Sequence, residues 1–308
     1  GATPYQLDIA NYLQNLPVGK DGISRGQIQA HRGGGKSYLT AAYTVWKGYH
    51  DPNEPILVVS STARRAEEFV SLVRQIINHN EVFAHMVPRL KSEGSPTGKD
   101  QVDSASAIDW GSKTIASKDP SVVAYGISST VTGSHPSVII ADDIETLNNG
   151  VTAGGRDKLM AKVAEFESLV NPKGEIIILG TPQSQQSIYV QMKEQYPIRR
   201  WPAEYPDPDD LVGSEFVSPW ILDAAIEDPS IVGDPTHPER FDQAALEGKK
   251  ESYGMTVYTL QMLINTSLAD AERYPLKLKD LIVCDLDASV THSKIVWGTS
   301  KSEQKQWP

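Results

Sequence analysis

An α/β fold, with a mainly parallel central sheet flanked by helices, is what this 308-residue chain predicts. Three observations carry that expectation. Short, continuous apolar runs at 55–61 ("PILVVSS"), 121–127 ("SVVAYGI"), 137–142 ("SVIIAD") and 175–181 ("EIIILGT") read as strands buried on both faces. Segments with apolar residues at helical spacing alternate with them. A glycine-rich turn at 32–37 ("RGGGKS") leads from one strand into one helix.

Taken in order, residues 4–16 ("PYQLDIANYLQNL") space their apolar side chains as a helix does, and 26–30 ("GQIQA") reads as a short strand. A helix is expected from Ser37 to about Tyr49. The strand at 55–61 leads into a second helix at 63–78, with an apolar stripe through Phe69, Val70, Val73, Ile76 and Ile77. Residues 91–104 are polar and carry glycines, and are expected as loops or a hairpin. A helix over 153–170 separates the strands at 137–142 and 175–181. Beyond about residue 200 prolines crowd the chain, and helical segments return at 241–249 and 253–266. These shifts predict a core over 1–200, a smaller, mostly helical lid or linker subdomain over 201–285, and the start of a polar linker over 286–308.

Composition is ordinary for a soluble globular protein, 39% hydrophobic and 22% charged. No apolar run approaches the roughly 20 residues that span a bilayer, so no membrane segment is expected, and the N-terminus does not read as a secretory signal. The single cysteine, Cys284, precludes an internal disulfide and fits a reducing cytoplasm. The net charge of −10 argues against broad nucleic-acid binding through bulk charge. It leaves room for small basic faces at Arg64-Arg65, Arg199-Arg200 and Arg89 with Lys91.

The eight positions "AHRGGGKS" (30–37) fit the phosphate-binding loop G-x-x-x-x-G-K-[ST], except that Ala30 stands where the first glycine would. In such a loop, Gly33, Gly34 and Gly35 let the backbone close on phosphates, with the helix N-terminus adding positive potential. Lys36 would reach the β- and γ-phosphates and Ser37 would ligate Mg²⁺, with Tyr38 beside them in the nucleotide-binding set. The metal needs an acid at the end of a neighbouring strand, and Asp142 stands there. Asp143 or Glu145 would then polarise the attacking water. Thr181, at the end of the strand at 175–181, is placed to sense a γ-phosphate. In "PYQ" (4–6), Tyr5 offers an aromatic face to a base and Gln6 an amide to an adenine edge. ATP and Mg²⁺ are the expected cofactors.

In this order, "PYQ", "HRGGGKS", "GISSTVTGSHPSVIIADDIE", "IIILGTPQS" and the long segment from Tyr253 to Asp280 resemble the ATPase part of the tailed-bacteriophage large terminase subunit, in its short-tailed-phage branch. The likeness runs over about residues 4–290. It implies an additional-strand, catalytic-acid ATPase that powers DNA packaging. Such a motor works in the infected host's cytoplasm as a ring, usually of five subunits, docked on the portal protein of an empty procapsid. It acts with a small terminase subunit, drives double-stranded DNA inward, and is not retained in the virion. The resemblance assigns Lys36 and Ser37 to phosphate and metal, Arg32 to the γ-phosphate, Asp142 to the metal, Gly180, Thr181 and Pro182 to coupling, and Gln6 to adenine. Isolated, the chain is expected to be mostly monomeric and a slow ATPase.

Three departures matter. Asp143 stands where the family often has Glu, which keeps Glu145 open as the base. His135 stands where relatives often carry an arginine acting across a subunit boundary, which leaves Arg64, Arg65 and Arg156 as candidates for that role. Relatives continue into a nuclease domain of RNase H-like fold, which is expected to lie beyond these residues, and Asp285 and Asp287 are not expected to form a nuclease site. The alternatives are a helicase-like, nucleic-acid-stimulated ATPase and a non-catalytic nucleotide-binding scaffold.

Overall fold

The computed structural model describes residues 1–129, 134–146, 148–182, 184, 186–266 and the strand pieces 296–297 and 305–306. The chain divides into two units, Gly1–Glu272 and Arg273–Pro308. In the second unit, the described residues form one antiparallel pair, Val296–Trp297 with Lys305–Gln306. Cys284, Asp285 and Asp287 lie outside the described residues, as does most of the expected linker.

The first unit opens with helix α1 (Pro4–Gln14). Proline occupies the first turn, where its missing N–H costs nothing, and Thr3 and Gln6 form a reciprocal capping box. The sheet that follows is built from β1 (Ser24–Ala30), β2 (Ile56–Ser60), β3 (Asp103–Ser104), β4 (Ala107–Ile108), β5 (Val122–Gly126), β6 (Val138–Asp142), β7 (Glu175–Leu179) and β8 (Ile198–Trp201). Their spatial order is β3-β4-β5-β2-β6-β7-β1-β8. From β5 to β8 every pairing is parallel, and β3–β4 is a short antiparallel hairpin at one edge. Strand β7 is inserted between β1, which feeds the glycine loop, and β6, which ends in Asp142. This inserted strand is the additional strand that the resemblance implied.

Successive strand residues face opposite sides, which is why the strands read as unbroken apolar runs. Ile28, Val58, Ile140 and Ile177 pack under α1, α2 (Lys36–His50) and α3 (Ala63–Asn78). Leu57, Val59, Ile139 and Ile178 pack under α4 (Ala153–Leu169) and the single turn α5 (Ile188–Gln191). A third, smaller cluster of Ala203, Leu246, Tyr258 and Met262 lies within the helical segment after β8. It joins α7 (Gln243–Tyr253) to α8 (Met255–Gln261), and α6 (Pro219–Glu227) precedes them.

Two expectations change here. "IRRW" forms an edge strand, and Arg200 is buried rather than part of a basic surface. Its guanidinium donates to Gln29 Oε1 at 3.0 Å and to the Glu215 carbonyl at 3.2 Å, while Arg199 lies 4.4 Å over the Tyr12 ring. The helix expected over 253–266 starts only after Gly254, whose φ of 72° breaks it from α7, and ends at Gln261. The charge is also unevenly placed. From Trp201 to Glu239 there are ten acidic residues and no lysine or arginine, so the whole net charge of −10 resides in that segment and the rest of the chain is balanced.

Candidate nucleotide site

Strand β1 ends at Ala30 and helix α2 begins at Lys36, so residues 31–35 make the turn. Ala30 is ordinary strand backbone, which is why no glycine is needed there. Gly33 and Gly35 have φ of 82° and 84°, the left-handed region that a Cβ disfavours. Gly34 is glycine for another reason. A Cβ there would stand 2.8 Å from the Tyr5 hydroxyl and 3.0 Å from His31 Nε2. Gly35 caps α2 without a side chain, which leaves the first-turn N–H groups facing outward for an anion.

Behind this turn, Ser37 donates its hydroxyl to Asp142 Oδ1 at 3.1 Å, and Lys36 Nζ lies 3.8 Å from Asp143 Oδ1. Asp142 is the last residue of β6. Burial, and then the neighbouring Asp143 charge, push its carboxyl up to about 6, against Lys36, the Ser37 bond and Arg65. Asp143 is turned off the sheet with φ of 45° and donates its N–H to the Leu179 carbonyl at 2.9 Å. A cavity of about 330 Å³ opens beside them, lined in part by Ser37, Ser60, Arg65, Glu68, Asp142 and Asp143.

The donor set fits MgATP. A hydroxyl and a carboxylate are hard oxygen ligands at one point, and no three acidic, histidine or cysteine side chains cluster among the described residues. Mg²⁺ is commonly held this way, by one or two protein oxygens with phosphate and water completing the shell. The turn has room for phosphate where side chains would have filled it.

Glu145 is placed differently from Asp143. It is 7% exposed, and both carboxylate oxygens are engaged, one by the Ser187 hydroxyl and one by the Ile188 N–H at 3.3 Å. Burial raises its pKa while these bonds oppose the rise. Its own N–H donates to the Tyr189 hydroxyl at 3.0 Å. The Tyr189 ring covers Gly180, where a Cβ would lie 2.3 Å from Cζ. Thr181 is buried beside it. Arg156 is committed nearby, to the Gly150 and Val151 carbonyls at 2.9 Å each and to Gln186 Oε1 at 3.0 Å.

Among the N-terminal candidates, Tyr5 corrects the expectation that it stacks on a base. Its ring is fully buried, stacked on His237 at 4.5 Å, with its hydroxyl donating to the Trp201 carbonyl. It supports the glycine turn from beneath. The Gln6 carbonyl oxygen accepts from the Thr3 N–H at 3.1 Å, which leaves its NH₂ group outward. Tyr38 is 56% exposed on the first turn of α2. Arg32 is exposed, its N–H donates to the Gln261 carbonyl at 2.9 Å, and its guanidinium has no polar partner among the described residues.

Sequence reasoning missed the support around the turn. His31 Nδ1 lies 3.2 Å from the Arg32 carbonyl, and its Nε2 is buried without a partner among the described residues. Phe241 would lie 3.0 Å from a Gly33 Cβ, and Arg240 Nε donates to the Gly33 carbonyl at 3.4 Å. His237, Arg240 and Phe241 come from a segment more than 200 residues away, so no local pattern links them to the loop.

No family model matches the chain. The large subunit of terminase from Enterobacteria phage T3 is 34% identical to it over 311 residues, covering 99% of this chain and 50% of that protein. The chain therefore spans about half the length of the curated relative it matches. A solved structure of the large terminase of a thermophilic bacteriophage overlays at 7% identity and a TM-score of 0.49, covering 86% of this chain and 54% of that one. The ADP complex of the same protein gives 9% identity, a TM-score of 0.46, and coverage of 85% and 53%. The order of the motifs agrees with the likeness to the phage T3 relative. By that likeness, this chain is similar over its whole length to about half of the large terminase subunit of a tailed phage.

Proposed function

We propose that this chain is the ATP-hydrolysing part of a viral DNA-packaging motor. The observation that carries the reading is the Ser37–Asp142 contact at 3.1 Å, set directly behind a turn whose three glycines are each required by backbone or crowding. The turn's N–H groups and Lys36 would hold the β- and γ-phosphates, and Ser37 and Asp142 would hold the magnesium ion. Bound magnesium would neutralise charge on the transferring phosphoryl group. Asp143, half-exposed toward the cavity, is favoured over Glu145 to orient the attacking water, because Glu145 is already engaged by Ser187 and Ile188. Arg32, with a free guanidinium, is available to the γ-phosphate, and Gln6 Nε2 to the base. Residues 1–200 are read as the ATPase core and 201–285 as its lid.

The whole motor's activity is part of the proposal: translocation of double-stranded DNA by a ring of such subunits at the portal in the host cytoplasm, with a small terminase subunit as partner. No helix among the described residues is long and apolar enough to cross a membrane. The test is steady-state ATP hydrolysis with Mg²⁺ by this chain and by Lys36→Ala, across protein concentrations. Hydrolysis abolished by the substitution, and rising more than linearly with protein, supports a ring ATPase. Hydrolysis unaffected by Lys36→Ala would reject the site.

A further inference from the structure

We infer that Arg65 contacts the terminal phosphate of the nucleotide held by its own chain, acting in cis rather than across a subunit boundary. The inference rests on the nucleotide site above and adds a ligand contact to it. The sheet register places Ser60, the last residue of β2, directly beside Asp142, the last residue of β6. Helix α3 begins three residues after Ser60, with Thr62 as its cap accepting from the Arg65 N–H at 3.3 Å. Arg65 is therefore in the first turn of a helix whose start is set by the strand next to the metal acid.

That helix is a firm platform. Ala66, Phe69, Val70, Val73 and Ile77 are buried along one side of its 16 residues. The two arginines at its start diverge. Arg64 Nε pairs with Glu68 at 3.3 Å, and its side chain is 89% exposed. Arg65 lines the cavity of about 330 Å³ together with Ser37, Asp142 and Asp143. Its guanidinium makes no hydrogen bond or ion pair with any described residue, although three carboxylates line the same space, Glu68 among them, which is paired with Arg64. Asp142 is taken by Ser37 and Asp143 faces Lys36.

An unpaired guanidinium at the mouth of a phosphate and metal cavity suits a ligand that carries oxyanions. Arginine's planar fork matches phosphate oxygens in a way that lysine's point charge does not. The cavity lies on the strand-end side of Ser37, where the metal acid stands, so the phosphate it would reach is the one next to the metal and Asp143. The other arginines named with Arg65 as candidates for a role across a subunit boundary are placed elsewhere. Arg156 is bonded to two backbone carbonyls and Gln186, and Arg64 is directed to solvent.

The test uses equilibrium binding rather than turnover. The full chain, kept at concentrations where light scattering shows a monomer, is titrated with ATPγS and with ADP in the presence of Mg²⁺. For Arg65→Ala, ATPγS affinity is expected to fall roughly ten- to a hundredfold, the worth of a hydrogen bond to a charged group, with ADP affinity changed less than about twofold. Arg65→Lys is expected to restore part of the loss. Equal losses for both nucleotides would make Arg65 a structural residue and overturn the inference. So would unchanged ATPγS binding by the monomer, and so would a loss that appears only where the chain associates, which would place Arg65 in a neighbour's site. Wild-type chain that binds neither nucleotide would overturn the site itself, an outcome separate from any of these.

Discussion

Asp143 and Glu145, two residues apart, have carboxylates turned to separate uses. Asp143 faces Lys36 across 3.8 Å with its side chain 42% exposed, whereas Glu145 is buried and tied to Ser187 and Ile188. Asp143→Asn is therefore expected to lower single-turnover hydrolysis by about 10²–10⁴ while nucleotide affinity and melting temperature hold. Glu145→Gln sets an NH₂ group against donors and is expected to cost about 1–3 kcal/mol of stability. Thermal melts beside single-turnover rates read both effects. The reverse pattern, a stable but inactive Glu145→Gln, would make Glu145 the base.

The glycine turn allows a sharper comparison than a lysine knockout. Gly35→Ala places a Cβ at φ of 84° with open space around it, so its penalty is backbone strain of about 1–2 kcal/mol. Gly34→Ala has no left-handed backbone but meets the Tyr5 hydroxyl at 2.8 Å. Truncating the obstacle should relieve only the second. The double variant Gly34→Ala with Tyr5→Phe is expected to bind ADP more tightly than Gly34→Ala alone, and adding Tyr5→Phe to Gly35→Ala to give no such gain. Isothermal titration of the four proteins checks this, and an equal response in both pairs would refute the division.

Acid should loosen the turn through His31. Burial, foremost, and then the charges of His237, Lys36 and Lys249 lower its pKa to about 4, from an ordinary 6.5, against the Arg32 carbonyl. Between those values the unfolded chain binds the proton and the folded chain does not. Stability is therefore fully present above about pH 6.5 and declines as pH falls toward 4, by a few kcal/mol at most. Asp142 and Glu145, both raised, tilt the curve the other way, so the comparison must be with a variant. Denaturant melts of wild type and His31→Asn from pH 7.5 to 4.5 should diverge, with the wild type losing more on acidification. Parallel curves would show that His31 takes up its proton without strain.

The legibility of this molecule in its sequence divides along physical lines. The helix at 63–78 and the four buried strands are readable because burial on one helical stripe, or on both sheet faces, leaves a direct pattern in residue type. Strand β8 is not. Its "IRRW" hides a buried guanidinium that Gln29 and the Glu215 carbonyl satisfy from far along the chain. Helix α6 escapes a reading by pattern because Pro219 looks like a breaker, although proline at the first helical position fits. Lys36, Ser37 and Asp142 stand out as candidates because a phosphate and metal site would demand fixed residue types at fixed element ends. Tyr5 misleads, since nothing local tells a ring facing a base from a ring under a loop. Arg65 stands among several arginines until the register of Ser60 with Asp142 singles it out.

Tyr189 links the strand end at Gly180 to the loop after Asp142, and this link should carry nucleotide state away from the cavity. Its ring fills the space over Gly180 and its hydroxyl accepts the Glu145 N–H. Tyr189→Phe keeps the ring and orphans a buried donor, at about 1–3 kcal/mol. Gly180→Ala keeps the hydrogen bond and overpacks the ring, at a similar cost. If the contact only stabilises the fold, both variants melt earlier and bind and hydrolyse ATP as before. If it couples, hydrogen exchange in residues 143–152 responds to ATPγS in the wild type and loses that response in both variants, with ATPγS affinity kept. The second pattern is expected, because the contact joins Gly180, one strand from Asp142, to the loop that Arg156 clamps at Gly150 and Val151. A wild-type chain whose 143–152 amides exchange identically with and without ATPγS would exclude the coupling.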